Sequence, residues 1–138
     1  MKRLALILTI LLAVSAMLIL LMDLKTKSDL RDLVFADIDM AAVADGTYRG
    51  KAETSLIKAE VEAKTAGNQI ISVRIINHDS GLGKKAEQIT DDMVRMNTYD
   101  VDVISGATAS SQVIKCAVSA ALAEGQPKWT GAPGESGI

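Results

Sequence analysis

In the stretch "DVDVISGATASSQVIKCAVSAAL", Asp102, Ser105, Thr108, Ser110 and Ser111 crowd around Gly106 and Ala107 just before a run with helical spacing. Short hydroxyl side chains beside a glycine turn can bind a phosphate. A helix N-terminus presents unpaired N–H groups, its dipole favours negative charge, and the hydroxyls add donors. The competing reading is structural, with Ser110 or Ser111 as the N-cap of the helix that follows. The lysine of a P-loop is missing, so nucleotide hydrolysis is not indicated. A threonine hydroxyl is a weak nucleophile, and the sequence sets no histidine or cysteine beside Thr108 to activate it. No catalytic residue is therefore assigned.

Other chemistry-bearing residues are few. His78, the one histidine, falls in a loop expected over Asn77–Gly83 with Gly81 and Gly83, which would permit close backbone approach to a ligand. Cys116, the one cysteine, is expected as a small packed hydrophobe and offers neither a disulfide framework nor a zinc signature. Asp91 and Asp92 are adjacent, so a helix points them to different sides and they form no catalytic dyad. Met93 and Met96 are expected in the core, and Trp129 as an interfacial or partner contact.

Elements that would position these residues can be laid out by periodicity. Ile57, Ala59, Val61 and Ala63 alternate with Lys58, Glu60, Glu62 and Lys64, one dry and one wet face of a strand. Ala66-Gly67-Asn68 is a turn, Gln69–Ile76 a second strand, and Tyr48–Thr54 an earlier one. A helix is expected over Lys84–Met96 with Ala86, Ile89, Met93 and Met96 inward, then a short strand at Tyr99–Ile104. The last helix carries Val113, Ala117, Ala120 and Ala121 as its stripe and stops at Gly125. The fold class is α+β: a meander of about three antiparallel strands covered by two helices.

Before this domain, Lys2 and Arg3 precede an apolar run from Leu4 to Met22. At about 1.5 Å per residue the run nearly crosses a hydrocarbon core of about 30 Å. An uncleaved single-pass anchor is expected; the competing reading is a signal peptide cleaved near Ala13–Ala16. The positive-inside tendency places the remainder outside the cytoplasm, although Lys25 and Lys27 put positive charge on the other flank. The expected organisation is an anchor at 1–22, a stalk or juxtamembrane helix at 23–44, a domain at 45–125 and a loose tail at 126–138. A net charge of -2 and a pI near 5.3 argue against a nucleic-acid partner. With aromatics at 3%, few platforms exist for stacking bases or sugars.

"DVDVISGATASS" resembles the flavinylation motif of FMN-binding domains, in which an aspartate is followed by two variable residues and then Ser/Thr-Gly-Ala-Thr. Asp102, Ser105, Gly106, Ala107 and Thr108 fill the fixed positions, while Val103 stands where a glycine is often found. "DGTYRGKAE" resembles the opening strand of these domains and "HDSGLGKKAEQI" their loop-to-helix segment, so the resemblance spans about Asp45 to Gly125. It implies FMN held as a phosphodiester on Thr108, with Asp102, Ser105, Gly106, Ala107, Ser110, Ser111, His78, Gly81 and Gly83 as further cofactor-binding candidates. Anchored subunits of the Rnf and Nqr respiratory complexes belong to this family, but this chain is much shorter and is more similar to small standalone flavoproteins. The resemblance further implies a flavin transferase for maturation, redox partners among membrane electron-transfer proteins, and electron relay without a substrate of its own. The alternative is an anchored binding or sensor module of the same fold that holds FMN non-covalently or not at all; a third is a purely structural anchor subunit.

Overall fold

The computed structural model describes residues 1–79, 81 and 83–127. Helix α1 (Lys2–Arg31) contains the apolar run and continues past it; none of its residues is buried, and it is long and apolar enough to cross a membrane. Three strands follow, β1 (Gly46–Glu53), β2 (Lys58–Ala66) and β3 (Gln69–Asp79), paired antiparallel in the order β1-β2-β3. Gly67 and Asn68, at φ 57° and 62°, close the β2–β3 hairpin in the positive-φ geometry that suits two-residue hairpin turns. A 3-10 segment (Lys84–Gln88) leads into α2 (Ile89–Met96), and α3 (Thr108–Glu124) completes the domain. The expected α+β meander covered by two helices is what the chain forms.

One sheet face is dry. Ala59, Val61, Ala63 and Thr65 of β2 are buried, and α3 lies across β1 and β2 while α2 packs on β3. The close approach of α3 explains Gly50: a Cβ there would lie 1.9 Å from the Ala117 carbonyl oxygen and 2.5 Å from the Ala121 nitrogen. On the wet face, Glu62 accepts from Arg74 at 2.7 Å and from Arg49 at 3.3 Å, a three-strand charge row in register. The Arg74 hydrogen bond, helped by Arg49, holds the Glu62 carboxyl below the usual carboxylate range against the opposing effect of burial.

The segment expected as a stalk divides in two. Its first part extends α1 to Arg31; the second passes over the outer side of α3 as a strap. The Cys116 thiol donates to the Val34 carbonyl at 3.2 Å, the Ala36 N–H donates to Ser119 Oγ at 3.4 Å, and Tyr99 donates to the Ala36 carbonyl at 3.0 Å. Gln126 clips the strap from the far end, accepting from the Asp39 N–H at 2.7 Å and donating to the Asp37 carbonyl at 3.1 Å. Leu33, Ile38, Met40 and Val43 thereby join the core. With sheet beneath and strap above, α3 is buried on almost every side from Ser110 to Leu122. Cys116 is the packed residue expected, and burial raises its thiol pKa.

Expectations for the segment from β3 to the loop before α3 need correction. Tyr99–Ile104 forms no strand: β3 ends its own pairing at β2, and the Val101 N–H turns back to Tyr99 instead. Lys84–Gln88 is wound as a 3-10 segment rather than as the first turn of an α-helix. Met96 is 58% exposed, because α2 ends there and Asn97, in the left-handed conformation, turns the chain away. Asn77–Asp79 belong to β3, so His78 is a strand residue and not a loop residue. Trp129 lies outside the described residues.

Candidate functional site

The Ser-Gly-Ala-Thr segment is a tight turn, closed by a hydrogen bond from the Ala107 N–H to the Ile104 carbonyl at 2.9 Å. Gly106 takes φ +74°, the value its place in such a turn demands and one that residues with a Cβ rarely adopt. Helix α3 starts at Thr108, and its cap is Ala107, which has no polar side chain to offer. The expected serine N-cap is therefore incorrect. The helix begins three to four residues earlier than that reading required, which puts Ser110 and Ser111 inside its first turn and a half. Both are buried, at 2% and 0% exposure. Ser111 works as an internal staple: its hydroxyl donates to the Ala107 carbonyl at 2.8 Å and accepts the Ile104 N–H at 3.0 Å. That staple fixes the turn to the helix.

What remains on the outside is Asp102, Ser105, Gly106 and Thr108, all exposed, with Ala107 tucked beneath at 6%. An uncapped helix start with open first-turn amides and an outward threonine hydroxyl is suited to a phosphate. A cation reinforces it. Lys85, from the 3-10 segment, lies over the turn so closely that a Cβ on Gly106 would stand 2.9 Å from its Nζ. Among the described residues no carboxylate pairs with Lys85. Sequence reasoning missed this lysine. The signal was the Lys84-Lys85 pair directly after the loop glycines, in a chain whose candidate anion site otherwise has no cation.

His78 does not join the motif turn directly. Its imidazole is 1% exposed on the dry side of β3, opposite Ala59, with Nδ1 at 3.0 Å from Glu87 Oε1. Lys84 Nζ reaches the two oxygens of the same carboxylate at 3.1 and 3.2 Å. Partial burial pushes the Glu87 carboxyl up, but the His78 and Lys84 hydrogen bonds outweigh it and hold the group below the usual glutamate range. His78 Nε2 is buried without a partner, an arrangement that costs about 1–3 kcal/mol when nothing satisfies it. Gly81 is exposed at φ +54° with open space around it, while Gly83 is buried and opens the 3-10 segment. The 3-10 segment thus touches both places, Lys85 at Gly106 and Glu87 at His78. A cleft of about 450 Å³ lies among Lys51, Glu53, Lys58, Glu60 and Asn77 and shares no residue with the motif.

No curated protein matches this chain. Among solved structures it is similar to the CPE2226 protein from Clostridium perfringens, at 19% identity and TM-score 0.49, over 60% of this chain and 88% of that one. The model of the FMN-binding domain family matches residues 54–123. That stretch is just over half the chain, and it contains every candidate residue from His78 to Ser111 as well as Lys85 and Glu87. The turn at Gly106, the outward Thr108 and the lysine above them lie within the match, and the chain belongs to the FMN-binding domain family.

Proposed function

We propose that this chain is a membrane-anchored, extracytoplasmic flavoprotein that carries FMN covalently on Thr108 and relays electrons. The observation that carries the proposal is the exposed Thr108 at the first position of α3, directly after the Gly106 turn that Lys85 covers. As a phosphodiester, the cofactor would keep one negative charge. Lys85 and the first-turn amides of α3 would hold that charge, and Ser105 could donate to it. Asp102 would flank it as the motif's leading carboxylate, and Ser110 and Ser111 would support the turn from below.

The chain offers Thr108 no general base, which supports a separate transferase. In that reaction Thr108 Oγ bonds to the phosphorus on the flavin side of FAD, the pyrophosphate bond breaks, AMP leaves, and the hydroxyl proton passes to solvent. When bound, FMN supplies the redox chemistry, and the protein's part is to position it. Domains of this family generally transfer electrons rather than turn over a substrate, so the partners proposed are membrane electron-transfer proteins. Helix α1 supports the anchor, and Lys2 and Arg3 at its start support a cytoplasmic N-terminus.

Intact mass after expression with and without a flavin transferase tests the linkage. An added FMN phosphoryl mass, located to the peptide from Val101 to Lys115, is expected. Flavin that washes off on denaturation would favour the non-covalent module instead. A reporter active only outside the cytoplasm, fused after Ile138, tests topology; activity of a cytoplasm-only reporter at the same place would overturn it, and a soluble chain starting near Met17 would identify a cleaved signal.

A further inference from the structure

His78 is the chain's one histidine, and its Nε2 is the one buried side-chain polar atom without a partner among the described residues. A carboxylate only accepts hydrogen bonds, so the contact with Glu87 puts the imidazole proton on Nδ1. In the neutral ring Nε2 is then a lone pair facing no donor, a state that native interiors seldom leave unresolved. Its surroundings tie it to the motif. The short segment that fixes the imidazole through Glu87 also sets Lys85 over Gly106, two residues earlier. A cofactor whose phosphate is fixed at Thr108 therefore starts beside the segment whose Glu87 holds His78.

We infer that His78 Nε2 is the acceptor that receives the imide N–H of the flavin ring, with Glu87 as the positioning residue that holds the correct tautomer. This rests on the FMN reading above and extends it from the phosphate end of the cofactor to its ring. The imide N–H is the ring's strong donor in the oxidised state, and Nε2 is the acceptor without one. Because Nε2 is sealed from solvent, the ring makes this contact by parting the side chains that cover it.

The test uses the full-length chain in detergent micelles, labelled with nitrogen-15 histidine, before and after loading by the transferase. With one histidine the imidazole spectrum needs no assignment, and the mass of the same sample reports whether flavin is attached. In the flavin-free chain Nδ1 should be protonated and Nε2 an unbonded acceptor. Loading should shift the Nε2 resonance in the direction of an accepted hydrogen bond and leave Nδ1 protonated. Flavin methylated at the imide nitrogen should load without that shift, which tests the contact with no substitution in the protein. Glu87→Gln should replace the single tautomer by a mixture and shrink the shift, with the adduct mass unchanged. Attached flavin with an unmoved Nε2, or an equal shift with the methylated ring, overturns this inference and leaves the linkage standing. A chain that never gains flavin mass overturns both.

Discussion

The first turn of α3 and the three turns after it are one continuous helix with opposite surroundings. Thr108 is exposed and uncapped beside a turn covered by a lysine, whereas Val113, Ile114, Ala117, Val118, Ala121 and Leu122 are sealed between sheet and strap. The difference separates two tasks. Packing of the middle fixes where the helix is, so its first turn can spend no side chain on capping and can leave its amides and hydroxyl open. Residues of the middle should therefore govern folding and residues of the first turn should govern cofactor attachment, with little exchange between the two.

The largest expected effect breaks the packed half. Gly50→Val forces a side chain into the backbone of α3 at Ala117 and Ala121, and overpacking against backbone should cost about 3 kcal/mol or more. Thermal unfolding should show a chain that is largely unfolded or strongly destabilised. Ser111→Ala comes next, because it removes the staple at the seam between the halves and leaves the Ile104 N–H without its acceptor; about 1–3 kcal/mol is expected in denaturant melts. Glu87→Gln sharpens the contrast by pH. A depressed carboxyl contributes stability that is fully present above the ordinary glutamate range and is lost as pH falls through the depressed value. The wild type should lose its advantage over Glu87→Gln as pH falls from the ordinary glutamate range through the depressed value, as followed by paired melts.

Lys85→Met keeps the stem and removes the ammonium, so melting should barely move while transferase loading of Thr108 slows several-fold; equal loading rates would remove Lys85 from the phosphate site. Thr108→Ala should move stability least, within about 0.5 kcal/mol for an exposed first-turn residue, yet abolish the flavin mass. An adduct that persists would pass the assignment to Ser105, then to Ser110 and Ser111, whose burial makes them poorer acceptors.

Much of this arrangement was legible from local pattern. Alternation in Ile57–Lys64 indicated the buried face of β2, and Gly67-Asn68 marked the hairpin turn. Thr108 followed from a short motif whose requirements are local. What was not legible depends on partners distant in the chain. Strand β3 carries two register irregularities against β2, near Val61 and near Thr65, so its inward residues are Ile70, Val73, Ile75 and His78, and no period-2 pattern predicts that spacing. His78 therefore looked like a loop residue. The helix cap was misjudged because serine preference is strong in isolated helices, whereas here tertiary packing holds the helix start and Ser111 turns inward. Lys85 was missed because it meets Gly106 across a gap of some twenty residues. The strap escaped because its mixed composition suits a linker as well as a cover.

The strap also bears on the order in which the protein comes into being. Its hydrogen bonds to Tyr99, α3 and Gln126 join residues 63 to 89 positions apart, and β1 rests on the same late helix. A chain made from its N-terminus holds strap and meander ready long before α3 exists to meet them. Until then the meander's apolar side is bare, and contacts of such long separation are slow to close. Completion of α3 is thus the event that turns a loose nascent segment into a folded domain. Thr108 sits at the front of that helix, so a transferase that requires the finished turn would act only on chains in which α3 has been made and docked.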